Sequence, residues 1–117
     1  MDGTTASPRP ERDERVLRLL GLGYRGGNVV IGVDRVRVGL QANQFACVVV
    51  AANVTDRARE KVLRLATARG IPLVAGPSCE LIGARLGRGT VMVAGVVDRA
   101  LASGLVSAGP GAPLTEV

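Results

Sequence analysis

The chain of 117 residues has no histidine and no tryptophan, one phenylalanine (Phe45), one tyrosine (Tyr24), two cysteines and a single lysine (Lys61). Without histidine, and with no cluster of carboxylates, the sequence offers no evident general acid and base, so a non-catalytic protein is expected. Cys47 lies in the apolar run Phe45-Ala46-Cys47-Val48-Val49-Val50 and reads as an inert core thiol. Cys79 falls at a helix start but has no imidazole to act as its base. Two cysteines so placed make neither a disulfide framework nor a zinc site, which fits a reducing cytoplasm and predicts no metal and no cofactor. The scarcity of aromatics argues against modules that stack splayed bases on a sheet. No apolar leader opens the chain and no run nears the roughly 18 residues of a membrane span, so no membrane partner is expected.

What is present is aliphatic and basic. The apolar fraction of 47% is almost wholly Val, Leu, Ala and Ile, so branched aliphatic packing must hold the core. Residues 16–117 carry twelve basic groups against six acids, which puts the positive charge on the folded part and favours a polyanion as partner. The organisation expected is a disordered tail over residues 1–10, one domain over residues 11–106 and a second disordered tail over residues 107–117.

Along the chain, apolar spacing of Val16, Leu19, Leu20 and Gly23 predicts a helix over residues 11–24, stopped by Gly26 and Gly27. A short strand over 28–31 and a helix over 33–43 follow, the latter with Val33, Val36, Gly39 and Leu40 inward. Residues 45–52 are continuously apolar, as in a central strand buried on both faces. Thr55 caps a helix running to Arg69, with Ala58, Val62, Leu65 and Ala66 inward and Arg57, Arg59, Lys61 and Arg64 outward. Residues 71–75 make a strand, Ser78 caps a helix over 79–86 that Gly87 ends, residues 90–97 make a strand, and Asp98 caps a last helix to about residue 105. This alternation predicts an α/β protein, a three-layer α-β-α sandwich around a small, roughly four-stranded sheet. Ligands of such sheets tend to sit beyond the carboxyl ends of the strands, where the turns at Gly32, Asn53, Gly76 and Asp98 would fall unless a strand runs antiparallel.

The stretch from Gly26 to Arg37 draws the most attention. Gly32 joins a strand to a helix, and the free N–H groups and positive dipole end of that helix favour an anion. A plain strand-to-helix joint is the alternative. The cluster of Gly21, Gly23, Gly26 and Gly27 is not a dinucleotide loop, because it follows a helix where that loop follows a strand.

The segments Leu19-Leu20-Gly21-Leu22-Gly23-Tyr24-Arg25-Gly26-Gly27, with Gly32 five residues on, Val48-Val49-Val50-Ala51-Ala52-Asn53, Gly70-Ile71-Pro72-Leu73 and Leu81-Ile82-Gly83-Ala84-Arg85-Leu86-Gly87 together resemble the kink-turn-binding ribosomal proteins. These are the large-subunit proteins seven-Ae and thirty-e, and the resemblance is closest to their bacterial YlxQ-like branch. It covers roughly residues 15–105. It implies RNA binding by the edge formed around Gly32, the loop of Ala52 and Asn53, and the loop of Gly87, Arg88 and Gly89, with contacts from Arg25, Gly27, Asn28, Gly32, Asp34, Arg35, Ala52, Asn53 and Arg88. The RNA expected is structured, kink-turn or ribosomal. The archaeal motif glycine-x-asparagine-glutamate-x-x-lysine meets Gly32, Asp34, Arg35 and Val38 here, so only the glycine is kept. Asp34 cannot donate as an asparagine amide does, and Val38 cannot neutralise a phosphate. A module for a protein partner or for homo-oligomerisation, with Val29 and Val38 forming a more apolar edge, is the second reading.

Overall fold

A computed structural model describes residues 9–108, with side chains placed from 11 to 107. In chain order it contains α1 (Arg9–Arg25), β1 (Val29–Ile31), α2 (Val33–Gln41), β2 (Cys47–Val50), α3 (Asp56–Ala68), β3 (Leu73–Ala75), α4 (Cys79–Leu86), β4 (Val93–Val96) and α5 (Arg99–Ala108). The order of elements is the one the hydrophobic pattern predicts. The terminal helices each take in two residues that composition had assigned to the tails, and the remainder of both expected tails lies outside the described residues.

The strands form one mixed sheet in the order β1-β4-β2-β3. β2 is internal and all four of its residues are buried, the environment its unbroken apolar run requires. It pairs in parallel with β3, Val48 opposite Leu73 and Val50 opposite Ala75. β4 runs antiparallel to both of its neighbours, with Val50 opposite Val93 and Ile31 opposite Ala94.

The two-residue period of β2 sorts the core into two sides. Val48 and Val50 pack with Val36 and Leu40 of α2 and Val62 and Ala66 of α3. Cys47 and Val49 pack with Val16 and Leu20 of α1, Ile82 of α4 and Leu105 of α5. The result is the expected α-β-α sandwich, two helices on one face and three on the other. Val29, proposed from sequence for an apolar docking edge, is instead 6% exposed and belongs to the core.

Side-chain caps fix where three helices begin. Thr55 accepts from the Ala58 amide at 3.2 Å, Ser78 from Leu81 at 3.2 Å, and Asp98 from Ala100 at 2.7 Å and Leu101 at 3.1 Å. Each satisfies an orphan first-turn donor, a contribution of about 1 kcal/mol per cap. At the far end of α4, Gly87 adopts the left-handed conformation (φ 74°) and stops the helix.

Burial alone decides the chemistry of Cys47, whose thiol is pushed up to about 12 by desolvation. Both cysteines are free and buried. Thiol titration at neutral pH is therefore expected to find no reactive thiol in the native protein and two after denaturation. Rapid native-state labelling at Cys47 would contradict this packing.

Candidate nucleic-acid interface

Because β1, β2 and β3 all run in one direction, their carboxyl ends gather at one rim of the sheet, where the antiparallel β4 begins. Backbone hydrogen bonds stitch the loops of this rim together. The Gly32 amide donates to the Val93 carbonyl at 3.2 Å, Ala51 to Met92 at 2.8 Å and Ala52 to Pro77 at 2.8 Å. The loop over residues 87–90 joins the same rim, since it leads into β4.

Gly32 stands at the centre. Its φ of 105° and ψ of 139° lie in a region that an L side chain scarcely enters, and its missing Cβ leaves open space. Its carbonyl accepts from the Val36 amide at 2.9 Å, which makes it the N-cap of α2. With no side chain it caps nothing. Among the described residues no acceptor meets the first-turn amides of Val33, Asp34 and Arg35, whereas α3, α4 and α5 each have a side-chain cap. Donors and the positive end of a dipole thus face the rim.

The charges around them are mixed. Asp34, whose side chain is 92% exposed, complements the dipole itself and stands 3.8 Å from Arg37, a loose surface pair of small energetic weight. Arg35 is exposed beside it and offsets its charge. Attraction for a phosphate therefore depends on arginine more than on the helix end.

Arg88 supplies the second such group. Its loop is folded back on α4, with the Arg88 amide donating to the Gly83 carbonyl at 2.8 Å and the Val91 amide to the Cys79 carbonyl at 3.1 Å. The approach is possible because position 83 has no Cβ: one built there would lie 2.7 Å from the Gly89 carbonyl carbon and 2.8 Å from the Arg88 carbonyl oxygen. Held this way, Arg88, Gly89 and Thr90 share with Gly32, Val33 and Met92 a hollow of about 410 Å³. Asp34 and Arg35 line a separate hollow of about 320 Å³ on the other flank of α2, beside Val30 and Val38.

Asn53 is at the rim but its amide is already engaged. Its Oδ1 accepts from the Cys79 amide at 2.8 Å and its Nδ2 donates to Glu80 Oε1 at 3.0 Å. It thereby brackets the β2–α3 loop to the start of α4. The Glu80 carboxyl is held below its ordinary range by its own backbone amide first and by the Asn53 amide next. Ala52 is exposed next to it.

Arg25, Gly27 and Asn28 are not part of this rim. They precede β1, so they stand at the opposite ends of the strands, about 10 Å away across a three-residue strand. There the Asn28 carbonyl accepts from the Val97 amide at 2.9 Å. Asp98 lies at this opposite rim too, because β4 is antiparallel. Of the nine residues expected as contacts, Gly32, Asp34, Arg35, Ala52, Asn53 and Arg88 stand along this rim, divided among separate hollows and loops, and the other three stand at the opposite strand ends. The sequence gave no role to Gly83 or Thr90; the glycine was legible only as part of a motif, since its backbone neighbour comes from a different loop.

A mixed four-stranded sheet between two helical layers, with its loops collected at one rim, defines the α-β-α sandwich class. Residues 14–104 match the model of the ribosomal protein L7Ae/L30e/S12e/Gadd45 family, and the chain belongs to that family. Among solved structures it is similar to a protein with unknown function from Bacillus halodurans, at 23% identity and a TM-score of 0.76, over 80% of this chain and 95% of that one. It is similar also to the Giardia lamblia 15.5kD RNA binding protein, at 20% identity and a TM-score of 0.69, over 88% and 87% of the two chains. At these identities the likeness is one of fold. No curated protein matches the chain significantly.

Among the described residues, no helix is long and apolar enough to cross a membrane.

Proposed function

We propose that the protein is a non-catalytic RNA-binding protein of ribosomal or translation-associated type, of the YlxQ-like bacterial kind, acting in the cytoplasm. It holds a sharply bent, kink-turn-like RNA at the rim around Gly32. The observation that carries this reading is the juxtaposition of the uncapped first turn of α2 with Arg88, in a hollow that the absent Gly32 side chain keeps open. Open backbone donors and nearby arginines suit a phosphate backbone that must come close. Family membership and the likeness to the Giardia protein support the same reading. The occupied amide of Asn53 shifts the expected contacts toward phosphates and away from base edges at that position.

The test is a gel-shift series with a kink-turn RNA and a plain duplex at rising salt. Binding is expected to prefer the bent RNA and to weaken steeply with salt as counterions are released. Arg35→Ala and Arg88→Ala, both exposed, are each expected to weaken binding by about 5- to 10-fold and to flatten the salt dependence by about one phosphate contact, with the melting temperature unchanged. Unchanged affinity in both variants would mean that RNA, if bound, uses another face.

One observation favours the second reading, a protein-interaction or self-assembly module on the same fold. Val38 is 64% exposed and, with Val30, lines the hollow beside Arg35. Light scattering at high protein concentration tests the self-assembly part of this reading, which a strict monomer would remove.

A further inference from the structure

α2 and α3 each follow a strand that runs toward the Gly32 rim, so both begin there and lie side by side over the same face of the sheet. Between them runs a groove of about 320 Å³, lined by Arg37 and Gln41 from α2 and by Arg57, Glu60, Lys61 and Arg64 from α3. Four cations face one carboxylate. Among the described residues, the ion pairs are Asp34 with Arg37 and Glu14 with Arg85, so none neutralises Arg57, Lys61 or Arg64. Arg57 and Lys61 are four residues apart on the helix, a like-charge spacing that costs helix stability. Among the described groove residues Glu60 is the one carboxylate, so the groove keeps a surplus of positive charge that an external anion would offset.

We propose that the α2–α3 groove is a second RNA contact, taking the phosphate backbone of a duplex arm that continues away from the bend held at the Gly32 rim. The inference rests on the RNA-binding reading and extends it to a surface with a different task. Arg57 lies in the first turn of α3, where it lines the groove and not the hollow of Gly32 and Arg88, and Arg64 is about 10 Å farther along the helix axis. That span matches about three successive phosphates of one strand. Arginine forks suit phosphate oxygens, and Gln41 adds a neutral donor. A protein partner fits less well: among the described residues Leu65 is the only apolar one lining the groove, and protein interfaces rely on buried aromatic or aliphatic anchors.

The experiment compares two RNAs with the same bend, one with short arms and one with a single arm lengthened by about ten base pairs, against the native full chain and an Arg57→Gln, Lys61→Gln, Arg64→Gln variant. The native protein is expected to bind the long-arm RNA at least about 10-fold more tightly and with a steeper salt dependence. The variant should lose that gain and about two to three units of salt slope, while keeping its short-arm affinity and its melting temperature. The proposal is overturned if lengthening the arm gains nothing, if the variant loses affinity equally for both RNAs, or if polyglutamate binds the groove as tightly as the long-arm RNA. Failure of the rim reading looks different. Native protein would then show no preference for the bent RNA, yet would still bind plain duplex through these three residues.

Discussion

Phe45→Ala is expected to destabilise the protein by about 3–5 kcal/mol, the range for emptying a buried aromatic site that cannot collapse. The ring is 4% exposed and occupies space that two glycines leave for it, Gly39 on α2 and Gly95 on β4. A Cβ built on Gly95 falls 2.6 Å from the ring carbons, and one on Gly39 overlaps the ring as well. The fit is mutual. The ring fills what would otherwise be a void between helix and sheet, and neither glycine can supply atoms to close it once the ring is gone. For a domain of this size the loss corresponds to a fall in melting temperature on the order of 15–30 °C. Calorimetry or a urea titration reads it directly. A variant within about 1 kcal/mol of the native protein would show that the site collapses and that the ring is not the spacer described.

Gly83→Ala is expected to act on both stability and binding. Helix propensity alone would favour alanine in the interior of α4 by about 1 kcal/mol. Against this, the new methyl would meet backbone atoms of Arg88 and Gly89, which no side-chain rotation can move, and such overpacking costs about 1–3 kcal/mol. The steric term wins. The loop over residues 87–90 is pushed off α4, breaking the Arg88-to-Gly83 hydrogen bond and moving Arg88 away from Gly32. The expected outcome is a lower melting temperature together with an RNA affinity reduced at least as far as in Arg88→Ala, about 10-fold. Gly89→Ala is the matched control. It places a methyl on the loop itself, at a position where nothing lies within 4 Å, so stability should hardly change. Native stability and native affinity in Gly83→Ala would refute the close packing that positions the loop.

These two cases show why part of the molecule could be read from its sequence. The capping roles of Thr55, Ser78 and Asp98 depend on residues two or three positions away, and the structure has all three. The burial of β2 followed from four consecutive apolar residues. Phe45 and Gly95 meet from segments far apart in the chain, and the sequence carries no local sign of it. The same holds for Asn53. The resemblance counts it among the RNA contacts, but its amide is taken by the start of α4, which only folding brings alongside.

Local pattern and motif together determined the element order, the α-β-α layering and the family, because helix and strand periods and cap chemistry are short-range. Strand direction was left to the tertiary structure. An alternation of apolar residues reads the same in either direction, so nothing local says that β4 runs against its neighbours. That one direction carries Asp98 to the far rim and delivers Arg88 to Gly32. With the parallel course shared by β1, β2 and β3, it leaves Arg25, Gly27 and Asn28 on the far side, and it sets which charges stand together before a partner.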